Sequence, residues 1–241
     1  MALTPAVCRS RDGSGAQATK CTCRSHFGDI NSDFLFQRLS PERLATYLDA
    51  VDGDVERAIR LYEWNAQVSA ALFEVIGHVE IVLRNAIHEQ MTAWCRANGH
   101  DENWFLNGHG FLDERLSSQV NRVAIRFTES GEELTPGRFI AELGFGFWRY
   151  LLSGKYRSSL WAFAVRLAFP YAPPASFEVI FNRVRRLHFA RNRVAHHEPI
   201  FDRRVDLAVL DAYLVARAID PQVEQWIRSQ SRVEALLASR T

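Results

Sequence analysis

The chain has 241 residues, 47% hydrophobic and 24% charged, with 29 basic and 28 acidic side chains and a formal net charge of +1. This is globular composition with apolar material for one substantial core or two small ones. A charge so near zero excludes bulk attraction to nucleic acid, leaving only a local patch, and four cysteines (Cys8, Cys21, Cys23 and Cys95) are too few and too unevenly placed for a disulfide scaffold.

Residues 1–32 are rich in Ser, Gly, Thr and Arg and show neither a helical nor a strand period. They read as a disordered tail, or as upstream sequence translated from an early start codon. Cys8, Cys21, Cys23 and His26 are zinc-ligating types, but their spacing fits no standard pattern, so neither a metal nor another cofactor is expected. The segment lacks a charged region followed by an apolar core, so no secretory signal is read. The best uninterrupted apolar run, Leu160 to Phe169, contains Arg166 and falls far short of a membrane span. The expectation is no membrane association and a reducing cytoplasm.

Residues 33–241 read as one all-helical domain. Ser40 and Pro41 start a helix from Glu42 to about Val51, and Asp52-Gly53-Asp54 ends it. Asp54 caps a second helix and Asn65 a third, which runs from Ala66 to Ala97 with Leu72, Ile76, Val79, Leu83 and Ile87 on one stripe. Glu80 and Arg84, four apart, suit a helical ion pair. Trp104 and Phe105 stand in an irregular linker, where aromatic rings pin a loop to the core. A helix follows from Leu112 to Thr128, and Thr135-Pro136 opens another that runs through Gly144 and Gly146. With no strand before them, these glycines suit close approach of a neighbouring helix better than a phosphate loop. A hydrophobic helix is expected over Leu160–Phe169, ended by Pro170, Pro173 and Pro174. Ser176 then caps a basic helix, and the last helices carry Leu207, Leu210, Leu214, Val223, Trp226 and Ile227. No period-two run bounded by turn residues occurs, so the fold class is all-α.

The basic helix concentrates the chemistry. Between Arg183 and His197 lie Arg183, Arg185, Arg186, Arg191 and Arg193 with His188, His196 and His197, and no acid. Such a cluster attracts phosphate, whose oxygens match the planar donor fork of arginine. Val184, Leu187, Arg191 and Val194 share one stripe; Arg185, His188, Asn192 and His196 share the next. Asn192 and His196, four apart, suit an amide fixing an imidazole. Arg191 and His196 are about 140° apart on a regular helix. Either the helix ends or bends before Pro199, or a second copy of the site supplies the missing partner.

An arginine, a polar residue, then a histidine after four or five intervening positions (Arg191 to His196 or His197) resembles the signature of HEPN-domain ribonucleases. The longer string from Arg191 to Phe201 resembles the Abi-like (abortive infection) family, placed in the HEPN group. Leu61-Tyr62-Glu63-Trp64-Asn65, Val79 to Ile87 and Glu142 to Trp148 match the same family in order. The resemblance implies a single HEPN-like helical domain, often a homodimer, acting in phage defence or as a toxin, with RNA as substrate and an antitoxin or phage-derived trigger as further partner. It implies metal-independent cleavage in which the RNA 2′-hydroxyl attacks the adjacent phosphate. Arg191 would stabilise charge on that phosphate and His196, or alternatively His197, would move the proton. Asn192, Arg193, Arg185 and His188 would hold substrate, supported by Glu80, Arg84, Asn85 and Glu198. Two other readings compete with this one. In the first, Arg191 pairs with a carboxylate such as Glu80 or Glu142 while His196, His197 and Glu198 merely cap the helix. In the second, the chain is a helical module that binds RNA, a nucleotide or a protein without cutting.

Overall fold

The longest helix runs through the middle of the molecule and most of the others pack against it. The computed structural model describes residues 32–106, 110–131, 133, 135–173 and 176–240. The tail expected over residues 1–32 lies outside these, with Cys8, Cys21, Cys23 and His26; only Ser32 is described, and it already opens a helix. The described residues form helices α1 (Ser32–Leu39), α2 (Pro41–Asp49), α3 (Val55–Ala97), α4 (Glu114–Ser130), α5 (Pro136–Glu142), α6 (Phe145–Leu151), α7 (Phe177–Ala195), α8 (Val205–Ile219), α9 (Pro221–Gln230) and α10 (Val233–Ala238). There is no strand among them.

Helix α3 is a single rod of 43 residues, about 65 Å long, where two helices divided at Asn65 were expected. Asn65 is not a cap. Its side chain is buried in mid-helix, and Oδ1 accepts a 2.8 Å hydrogen bond from the Ile200 backbone N–H. The core stripe of Val68, Leu72, Val75, Ile76, Val79, Leu83, Ile87 and Met91 recurs every three or four residues and is buried. It packs against α7 and α8. By length and composition α3 could cross a membrane, contrary to the expectation from uninterrupted runs, but here this stripe forms the core of the helical domain.

A smaller core, made by Leu44, Tyr47, Val51, Ala58 and Phe201, fastens α2 and the segment after α7 to the start of α3. At the far end Trp104 and Phe105 are fully buried, as the linker aromatics were expected to be; Phe105 stacks on Phe139 at 4.8 Å and Trp104 meets Trp148 edge-on at 6.2 Å. The helix expected to continue through Gly144 breaks there: Gly144 is extended at φ −67°, ψ 168° and begins α6. Leu160–Phe169 is not one helix either. It forms a wide turn over Arg157–Trp161 and a tight one over Val165–Ala168, separated by Ala164 at φ −133°, ψ −55°. Just beyond it, the Tyr171 N–H donates to Ala218 O of α8 at 3.1 Å.

Candidate functional site

Helix α7 ends at Ala195, and the way it ends defines the site. His196 is the C-cap, and His197 stands in the left-handed region at φ +55°. The His197 N–H donates to Val194 O at 3.0 Å and the Glu198 N–H to Arg193 O at 2.9 Å, the paired closure that usually has glycine at the left-handed position. A side chain there costs about 1 kcal/mol or more. The surrounding structure holds the turn in place. Arg193 donates to Pro199 O at 3.0 Å and pairs with Glu198 at 2.9 Å; Arg43 donates to His197 O; Asn65 takes the Ile200 N–H. Backbone strain is thus maintained at an exposed histidine, a pattern common at working sites. The 140° separation concerned His196; His197, the next residue, has left the helical cylinder and is placed by the turn instead.

Arg191 faces α3. Its Nε lies 3.9 Å from Glu80 Oε2 and, though buried, has no hydrogen-bond partner. The guanidinium sits 5.8 Å from the ring centroid of Phe73, and the side chain remains 35% exposed. Burial pushes the Glu80 carboxyl above its usual range, opposed by Arg191, a hydrogen bond from the Phe145 backbone and Arg84. Arg84 does not close on Glu80 as an ion pair; its Nε donates to Asn85 Oδ1 at 3.2 Å. Glu142, the other acid considered for Arg191, binds Arg126 instead.

Phe73 links Arg191 to the turn. It lines a cleft of about 480 Å³ between α2, α3 and the end of α7, together with Arg43, Tyr47, Tyr62, Val194 and His197. Arg191 thus meets the exposed Phe73 ring, and His197 lines the cleft that this ring also lines, while His196 is exposed but does not line it. Arg43, Tyr47, Tyr62, Asn65 and Phe73 were missed from sequence. The only signal for any of them was the family-like string holding Tyr62 and Asn65.

The rest of the basic cluster divides. Asn192 serves the upstream histidine: Nδ2 lies 3.4 Å from His188 Nε2, not against His196. Burial, then Arg149 and Arg191, hold the His188 imidazole below its usual range, which favours the neutral ring. Arg186 binds Asp211 of α8 through two bonds of 2.6 and 2.8 Å, and Arg183 approaches the same acid at 3.8 Å. Arg193 is committed to the turn with Glu198. Arg185 is exposed, its guanidinium 5.9 Å from the Phe181 ring centroid.

The arrangement offers an anion a partly exposed guanidinium beside Phe73 and an imidazole that lines the cleft. Among the described residues no group of three or more His, Cys, Asp or Glu is placed to hold a metal ion. Searches of the curated proteins and of the solved structures find no match. A family model described as Abi-like protein matches residues 33–202, from the first helix through the turn that carries His197. Over that extent, which is most of the molecule, the chain belongs to the Abi-like protein family.

Proposed function

We propose that the chain is a metal-independent endoribonuclease of HEPN type, acting in the cytoplasm in abortive infection or as a toxin, and held in check by an antitoxin or released by a phage-derived trigger. Membership in the Abi-like family supports the role in abortive infection. One observation carries the catalytic reading: a strained, exposed histidine, His197, lines the same cleft as Phe73, the ring against which Arg191, an arginine with an unsatisfied buried donor, is placed.

In this mechanism the RNA 2′-oxygen bonds to the adjacent phosphorus and the P–O5′ bond breaks. The 2′ proton passes to an imidazole and a second acid protonates the leaving O5′. Arg191 stabilises the charge on the phosphate oxygens. His197 is better supported as the proton carrier than His196, because it lines the cleft. The second acid comes from a second copy. Support for a twofold assembly lies on α3, where Phe73, which meets Arg191, is 41% exposed and Ile81, about a quarter turn around the helix from it, 47%. Pairing this side of α3 would bury both apolar side chains and bring two copies of the turn toward each other.

The test is incubation of purified protein with RNA in EDTA. Cleavage leaving 2′,3′-cyclic phosphate ends, lost in Arg191→Ala and in His197→Ala, is the expected result. Equal cutting of DNA, which lacks the 2′-hydroxyl, rules the mechanism out. A second reading, a module that binds RNA, a nucleotide or a protein without cutting, draws on Glu80, whose charge offsets part of that on Arg191. Binding without cleavage in the same assay is its outcome.

A further inference from the structure

A second cleft, of about 420 Å³, opens between α4, α6 and α7. Arg115, Gln119 and Arg122 line it from α4, Gly146 and Arg149 from α6, and His188 from α7. Arg115, Ser118, Gln119 and Arg122 recur at helical spacing and so form one stripe. Arg149 lies one turn beyond Gly146, on the face of α6 where a glycine lets His188 approach.

The charge of this cleft is not compensated. Elsewhere arginines meet acids: Arg126 with Glu142, Arg157 with Glu178, Arg186 with Asp211, Arg193 with Glu198. Among the described residues Arg115, Arg122, Arg149 and Arg185 have no ion pair with an acid. They repel one another instead: burial first, then Arg115 and Arg185, hold the Arg149 guanidinium below its usual range. The Arg149 Nε is buried without a hydrogen-bond partner. In a chain with 28 acids, three guanidiniums without an acid lining one cleft, a fourth, Arg185, near enough to repel Arg149, and an orphaned donor within it are a standing cost. An anion with several charges would remove that cost.

We infer that this cleft holds backbone phosphates of an RNA strand. Guanidinium forks match phosphate oxygens, and several lie along the cleft. Among the described residues no Phe, Tyr or Trp lines it to stack a base, and the one ring among the lining residues, His188, is already engaged by Asn192, so recognition is by charge and not by sequence. Helix α7 joins the cleft to the proposed catalytic site: His188 contacts Asn192, and Arg191, on the adjacent stripe, is near enough to act on the His188 imidazole. The identity of the polymer as RNA rests on the proposed function; the phosphate chemistry does not.

The test is binding of a mixed-sequence single-stranded RNA by the full chain carrying His197→Ala, read by fluorescence anisotropy in EDTA across a salt series. The Arg115→Gln/Arg122→Gln double variant and Arg149→Gln are each expected to weaken binding at least tenfold, equally for different sequences. The slope of log affinity against log salt should fall by about 0.7 per phosphate contact removed. Circular dichroism should show the variants folded and no less heat-stable, since repulsion has been relieved. Unchanged affinity and slope in folded variants overturn the inference. So does tight one-to-one binding of ATP that displaces RNA, which would make the cleft a free-nucleotide site. The two readings fail separately. If the variants lose RNA binding while the wild-type chain never cleaves, the cleft stands and the ribonuclease falls; if cleavage is observed and binding is indifferent to the variants, the reverse holds.

Discussion

Arg191 Nε stands 3.9 Å from Glu80 Oε2, near enough for attraction and too far for a hydrogen bond. The acid draws the guanidinium toward α3 without closing a hydrogen bond on its Nε, and the side chain stays 35% exposed. The carboxylate in turn depends on the cation, because burial already favours its protonated form.

Arg191→Ala should therefore have a pH signature besides a loss of cleavage of at least about a hundredfold. With its folded-state pKa above the unfolded value, Glu80 binds more protons folded than unfolded, so its contribution makes stability fall as pH rises. Removing Arg191 widens that gap. The variant should be about 2 kcal/mol less stable than wild type at pH 7 and closer to it at pH 4. Adding Glu80→Gln should abolish the difference between the two pH values. Urea titrations at both pH values check this, and a loss independent of pH would show that Arg191 acts through packing alone.

His197→Gly separates strain from function. Glycine adopts φ +55° without penalty, so the variant should be about 1 kcal/mol more stable than wild type, while His197→Ala keeps the strain. Both should lose cleavage. A thermal melt beside an RNA cleavage assay tests the pair; a glycine variant that is less stable would mean the imidazole supports the turn.

Local signals were legible in the sequence and distant ones were not. Ser40, Asp54 and Thr135 cap helices with their side chains as their positions predicted, since a cap needs only its next few residues. The stripe from Leu72 to Ile87 needed only the helical period. Asn65 misled because its partner, Ile200, lies 135 residues away. The basic run from Arg183 to His197 looked like one uncompensated patch, yet Asp211 arrives from α8 to bind Arg186 and flank Arg183. The cations Arg115, Arg122 and Arg149, none of which meets an acid among the described residues, sit on helices where the sequence singled out no basic residue. Charge balance in space could not be read from charge balance along the chain.

Asn65→Ala tests the tie between α3 and the turn. The Ile200 N–H loses its 2.8 Å acceptor in a buried place, which costs about 1–3 kcal/mol. The loosened segment carries His197, so cleavage should fall further than the change in folded fraction explains. Hydrogen exchange should show the Ile200 amide losing its protection, whereas full protection would mean that another acceptor replaces Asn65.

Gly146→Ala tests how tightly α6 meets α7. Alanine in place of glycine within a helix gains up to about 1 kcal/mol, which alone predicts stabilisation. Here the added Cβ would lie 3.3 Å from His188 Nε2. To yield, the imidazole must swing into the cleft it lines, away from the Phe145 ring edge-on at 5.8 Å and the Asn192 amide at 3.4 Å. The expected result is a net loss of about 1 kcal/mol, with α6 displaced and Arg149 carried away from the α4 arginines. In a His188→Ala background the clash is gone and the same substitution should stabilise. A double-mutant cycle from urea midpoints measures this coupling. Equal stabilisation in both backgrounds would mean that His188 moves aside at no cost and that the glycine is not what sets the spacing of the two helices.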